Sequence, residues 1–163
     1  MDKMKQDRFL IGILIGIVVL VVISLGLFFT RKDSEDYIVD DTPEGVVHNY
    51  VVAIHKRDYE KAYGYLADKD NKPTFTNFRQ AFIINMVSPN NVGLEIGTAD
   101  IRGEDATVSL STIYNASDPF SNGYRNSEVA LLTRQAGQWK LEQMPFNFWA
   151  YDWYQPTPVP VKP

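Results

Sequence analysis

The 21 residues from Phe9 to Phe29, FLIGILIGIVVLVVISLGLFF, carry no charge and one serine. At about 1.5 Å per helical residue the run is roughly 31 Å long, against a hydrocarbon core of about 30 Å. A helix apolar on every side has no face for water, so the sequence predicts a single transmembrane helix over 9–29. The competing reading is a cleaved signal peptide, with Lys3, Lys5 and Arg8 as its charged start and Ser24-Leu25-Gly26 at the cleavage point. Its apolar core would be about 7–15 residues, and this run continues past that point. Residues 1–8 then form a cytoplasmic tail. Their three cations and the terminal amine outweigh Arg31 and Lys32, so the rest of the chain is expected outside the plasma membrane. Gly12 and Gly16 form a GxxxG, the spacing that lets two such helices pack closely.

Beyond the run the composition changes. From Arg31 onward there are 13 Lys and Arg against 18 Asp and Glu, a balance of −5, and no basic cluster. This excludes nucleic acid as the main partner. The absence of cysteine removes disulfides, thiolate metal sites, cysteine nucleophiles and lipid attachment at an N-terminal cysteine. Residues 30–41, rich in Asp and Glu, read as an acidic stalk. Residues 155–163 hold four of the chain's nine prolines and read as an extended, unpacked tail. Between them, 42–154 is long enough for one hydrophobic core.

The first half of that domain has helical spacing. Thr42-Pro43 is an N-cap followed by proline, and Val46, Val47, Tyr50, Val51 and Ile54 recur on one face. His48 and His55 fall together on the opposite side, where an exposed polar face is a better reading than a metal pair, because zinc helices use i,i+4 spacing and a third ligand. Asp58 caps a second helix carrying Tyr59, Ala62, Tyr63 and Leu66. Asp68 to Arg79 begins like a calcium loop but has Pro73 where such loops need Gly and Arg79 where they need Glu, so it is a plain loop. A third helix is predicted over Thr76 to Met86, with Phe78, Phe82 and Met86 on one side. No metal or cofactor site is predicted.

The second half alternates with period two. Val92, Leu94 and Ile96 change phase at Gly97, which marks a bulge before Ala99 and Ile101. Ala106, Val108, Leu110 and Tyr114 alternate again, Val129 to Leu132 is apolar on both faces, and Trp139 to Met144 follows the turn Gln135-Ala-Gly-Gln138. Helices followed by hairpin-joined strands give the fold class: α+β, three helices on one face of an antiparallel sheet of about four strands.

The capped run Asn49-Tyr-Val-Val-Ala-Ile-His-Lys-Arg-Asp-Tyr-Glu-Lys-Ala-Tyr63, a third helix, and a meander closing on Gly137-Gln-Trp-Lys-Leu141 resemble the nuclear transport factor 2-like superfamily, which includes ketosteroid-isomerase-like and SnoaL-like proteins. The resemblance covers about residues 42–150 and identifies the chain as a membrane-anchored bacterial member. It implies a curved, cone-like sheet around the helices, a pocket at the open end, and homodimers through the outer sheet face. It does not settle function, because that fold hosts enzymes, ligand binders and interaction modules alike.

Isomerase-like members use a pocket carboxylate with oxyanion donors. Glu95 and Asp100 alternate away from the apolar face here and match neither role. The remaining candidate set is Tyr124, Asn126 and Glu128, on one face of an interior strand. Phe146 to Tyr154 holds six aromatics in nine residues. As a final strand or lid sealing the cone it would turn Phe146 and Phe148 inward, and this core reading is favoured because apolar patches that large are seldom left open. Trp149, Tyr151 and Trp153 share a parity, and would form one interaction surface if left open. The sequence therefore favours an extracytoplasmic, non-catalytic module for a protein partner or small apolar ligand. The alternatives are an isomerase, cyclase or dehydratase acting in the cone pocket, and an accessory or spacing domain of a cell-envelope complex.

Overall fold

Thr42 and Asn49 establish how the domain begins. In the computed structural model, which describes residues 3–30, 36–90, 92–114 and 123–155, the chain divides into two compact units at Asp36/Tyr37. The first unit contains helix α1 (Lys3–Thr30). Its described side chains, residues 10–26, cover roughly 26 Å of rise. Among the described residues no helix is long and apolar enough to cross a membrane.

The second unit holds three further helices and four strands: α2 (Pro43–Lys56), α3 (Tyr59–Gly64), α4 (Phe75–Ile83), β1 (Val92–Arg102), β2 (Asp105–Tyr114), β3 (Tyr124–Gln135) and β4 (Gln138–Gln143). The strands form one antiparallel sheet in the order β1-β2-β3-β4. The α+β class, the three domain helices and the four-stranded meander are those expected from the sequence.

The Thr42 side chain accepts a hydrogen bond from the Gly45 amide at 3.1 Å, and Arg57, in the left-handed region at φ 59°, ends α2. Nearly two turns into this helix lies a feature the periodicity does not reveal. The Asn49 side chain accepts from the Ile38 amide at 2.9 Å and donates to the Ile38 carbonyl at 2.7 Å. Gly45, one turn earlier, lets the backbone at Val39 approach so closely that a Cβ there would collide with the Val39 carbonyl oxygen. Tyr65 adds a hydrogen bond to Asp40 at 3.1 Å. The stretch 37–40, expected as the end of a free acidic stalk, is thus fastened to the domain. Residues 31–35 of that stalk and 156–163 of the proline-rich tail lie outside the described residues.

With this segment on one side and the sheet on the other, α2 is buried almost all round, Val52 included. The polar face expected at His48 and His55 is therefore narrow: His48 is half-buried, and the exposed His55 has its ring 6.2 Å from that of Phe148. Helix α4 starts and ends earlier than predicted, because Thr74 rather than a later residue caps it, accepting from the Asn77 amide at 3.3 Å. Its early end, with Asn85 at φ 57°, leaves Met86 half exposed while Phe78 and Phe82 are buried.

The bulge predicted at Gly97 is present, as a register shift between Ile96 and Ala99. Ala106, Val108 and Leu110 of β2, Ala130 and Leu132 of β3, and Trp139 and Leu141 of β4 face the helices and are buried. Both outer strand edges carry cover. Leu141 exchanges backbone hydrogen bonds with Tyr65 and Ala67, at 2.7 and 2.8 Å, along the edge of β4. On β1 the Ala99 amide donates to the Glu44 carboxylate at 2.8 Å. Such cover keeps unpaired strand edges from recruiting other chains.

Candidate functional site

The end of the sheet where β2 leaves and β3 enters collects the polar residues of the inner face. Thr112, fully buried, donates to the Glu128 carboxylate at 3.1 Å, and the Asn126 amide donates to the same oxygen at 2.9 Å. Tyr114 donates to the Asn147 side chain at 2.8 Å. Strand alternation places all of these on one face, opposite the ion pair of Arg125 with Glu95 on the other.

Of the predicted trio, Asn126 and Glu128 therefore meet. Tyr124 does not join them: it is 67% exposed, with its ring 6.2 Å from that of Tyr114. The Glu128 carboxylate is half-buried and already takes two hydrogen bonds on one oxygen. This arrangement holds a strand end together and can accept a further donor from solvent.

The aromatic run is where parity fails. Strand β4 ends at Gln143, Pro145 follows, and 146–154 proceeds as successive turns rather than as a strand, so a period of two no longer assigns faces. Phe148 is fully buried as expected, but Phe146 is 65% exposed. Trp149 and Trp153 are buried while Tyr151 is 82% exposed, so the three do not form one open face. Trp153 packs 5.0 Å from Phe78 and 5.1 Å from Trp149. Tyr154, at φ 62°, donates to the Ala67 carbonyl at 2.6 Å and locks the run against the loop after α3.

The consequence is a filled interior. Tyr50, Phe78, Phe148, Leu66, Leu132 and Leu141 occupy the space between helices and sheet, each almost wholly inaccessible to water. The concavities near the aromatic run open at the surface, and the buried Trp153 lines both of them. One is an open groove of about 470 Å³ between Glu128 and Val129 on one side and Phe146, Tyr151 and Gln155 on the other. Glu142 also lines it, held as an ion pair by Lys69 without an aligned hydrogen bond. A second groove, of about 400 Å³, runs past Ile84 and Met86. Among the described residues no three His, Cys, Asp or Glu side chains are grouped to hold a metal ion. On α1, Gly12 and Gly16 have open space where a side chain would be.

Together these features define a small α+β domain, with helices on one face of an antiparallel meander and aromatic turns plugging the space between. No protein-family model matches the chain, and no curated protein does. Solved structures resemble it in part, three of them as follows. One, from Thiobacillus denitrificans, is described as a calcium/calmodulin-dependent protein kinase type II association domain; it is 9% identical, covers 64% of this chain and 92% of its own, and has a TM-score of 0.47. A cystatin-fold protein from Novosphingobium aromaticivorans is 11% identical, with 65% and 100% covered and a TM-score of 0.42. A Campylobacter jejuni protein described as an NTF2-like transpeptidase is 15% identical, with 61% and 96% covered and a TM-score of 0.41. All three scores lie below 0.5, so the architecture rests on this chain's own strand registers and helix caps.

Proposed function

We propose that the chain is a membrane-anchored, non-catalytic interaction module of the nuclear transport factor 2-like kind, displayed outside the cytoplasm and engaging a protein partner through its surface. The observation that carries this reading is the filled interior. An enzyme or small-ligand binder of this architecture needs a hollow between sheet and helices, and Phe148, Trp149 and Trp153 take that volume. The anchor is supported by the uncharged run 9–29 and by the side chains of Leu10 to Leu25, whose large apolar members are each 46–68% exposed. Such a surface is stable only against something equally apolar, and lipid tails satisfy it on all sides. The excess of cations before the run supports the outward orientation.

The full chain expressed in bacterial membranes tests both halves. It should resist alkaline carbonate extraction, dissolve in detergent, and be cut by protease added to intact spheroplasts. Release by carbonate, or protection until lysis, would overturn the anchor or the orientation respectively. For the partner, in-membrane crosslinking of the parent is compared with a variant in which the half-exposed Ile83, Ile84 and Met86 are serine. Absence of any crosslinked partner to the parent removes the interaction reading.

A further inference from the structure

Strand β3 is longer than its neighbour on one side. Strand β2 pairs with it from Tyr124 to Thr133, but β4 pairs only from Leu131 to Gln135, ending with Gln143 opposite Leu131. The Arg134 amide donates to the Glu104 carbonyl, on the β2 side. Antiparallel alternation then turns the backbone of Asn126, Glu128 and Ala130 towards β2, and that of Arg125, Ser127 and Val129 towards the side β4 has vacated. Among the described residues no backbone group meets these three, all of which are exposed. The groove of about 470 Å³ between Val129 and Tyr151 keeps space open beside them. An uncovered strand edge of this kind is a template for another strand.

The edge is complementary to itself. Laid antiparallel against the β3 of a second copy, it pairs about a twofold axis perpendicular to the sheet. Only odd-numbered residues have groups facing the edge, so odd must pair with odd. Centred on Glu128, the register sets two carboxylates opposite each other, which repels, and brings Arg125 to the partner's Leu131, already paired with Gln143. Centred on Asn126, it leaves Val129 without a match in the open stretch. Centred on Ser127, it uses all three exposed residues and sets Asn126 of each chain opposite the partner's Glu128. The chemistry there is complementary. Among the described residues, Asn126 and Thr112 both donate to Oε1 of Glu128, which leaves Oε2 and the second amide hydrogen of Asn126 to join across the axis. We propose that two copies of this chain pair through β3, with Ser127 opposite the partner's Ser127 and Arg125 opposite the partner's Val129. The odd-numbered pairs exchange about six backbone hydrogen bonds. The outer face of the sheet suits a second copy less well, because it carries the ion pairs of Arg125 with Glu95 and Arg102 with Asp100.

Because the chain has no cysteine, single thiols report the contact in membranes containing the full-length protein. Opposed Cα atoms in such a pair lie about 5.5 Å apart, within the span of a disulfide. Under mild oxidation Ser127→Cys should link two chains about ten-fold more than Thr107→Cys, which is exposed on the outer face of β2. Arg125→Cys and Val129→Cys should each link weakly alone, and about ten-fold better when produced together, since each faces the other across the axis. Absence of a Ser127→Cys dimer overturns the proposal, as does equal linking through Thr107→Cys, which would make the outer face the interface. Linking of Arg125→Cys to itself in preference to Val129→Cys overturns the register. A backbone variant gives an independent reading. The Ser127 amide points away from β2, so Ser127→Pro removes a donor at the axis and leaves the β2 ladder complete. Added to the Arg125→Cys and Val129→Cys chains, it should cut the linked fraction about ten-fold while the near-ultraviolet spectrum stays unchanged. An undiminished linked fraction in that folded variant would mean that the copies do not meet along this edge. The pairing is independent of the surface that engages another protein, so its failure leaves that reading standing.

Discussion

The Tyr50 hydroxyl donates to the Phe148 carbonyl oxygen at 2.7 Å, joining the centre of α2 to the aromatic turns 98 positions later. Both residues are fully buried, so neither group has water as an alternative. Tyr50→Phe keeps the ring and leaves that carbonyl without its partner. The expected loss is about 1–3 kcal/mol of unfolding free energy, the range for a buried polar group stripped of its hydrogen bond. Denaturant unfolding of the two proteins measures it; an unchanged midpoint would mean that the contact holds nothing together.

Tyrosine also sets an alkaline limit on stability. The Tyr65 hydroxyl is pushed up to about 12, by burial first and then by its hydrogen bond to Asp40. Burial likewise raises Tyr50 and Tyr154, the latter helped by neighbouring tyrosine and carboxylate groups. Folding thus raises each group above its value near 10 in the unfolded chain. The stability these hydroxyls contribute is complete below about pH 10 and is lost as the pH climbs through the folded values, for Tyr65 between about 10 and 12. Denaturation midpoints taken from pH 8 to 12 should fall over that window, and Tyr65→Phe should reduce the fall. A flat profile to pH 12 would contradict this.

Asn49 predicts where the domain first becomes open to protease. Its two hydrogen bonds hold Ile38 by both backbone groups, and it is 1% exposed. Asn49→Leu preserves bulk and deletes both bonds. Cleavage within 36–41 should then accelerate while the sheet amides keep their exchange rates, since the fastening is local. If protease cuts parent and variant alike, the segment is held by something other than Asn49.

Sequence and structure agree most closely where a local signal sufficed. Thr42-Pro43, Asp58, the phase change at Gly97 and the Ala136-Gly137 turn each depend on residues within a few positions, and each lies where it was expected. What stayed hidden was set across long separations. Asn49 lies at helical spacing from Val46 and Ala53, on a face that would otherwise read as simply apolar, and nothing near it announces Ile38 as its partner. The burial of Trp149 and Trp153 fits a lid over the core, but the exposure of Tyr151 between them does not follow from parity, which holds only for a strand. Among the site residues, the contact of Asn126 with Glu128 follows from parity; the exclusion of Tyr124 depends on where β3 meets solvent.

Two glycines make opposite predictions from the same substitution. At Gly97 a Cβ would lie 2.5 Å from the Ser109 hydroxyl and 3.0 Å from its carbonyl oxygen, across the bulged pair of strands. The backbone oxygen cannot swing aside as a side chain can. Gly97→Ala should therefore cost about 1–3 kcal/mol, as overpacking does. At Gly64, the last residue of α3, a Cβ meets nothing within 4 Å. There alanine limits the unfolded chain and suits the helix, for a gain of up to about 1 kcal/mol. Thermal unfolding of both variants decides the matter. The difference arises from neighbours across the sheet, so the Gly97 penalty should shrink when Ser109 is made glycine in the same chain, and a penalty that does not change would place its cause in the strand backbones, the carbonyl of residue 109 included, rather than in the serine hydroxyl.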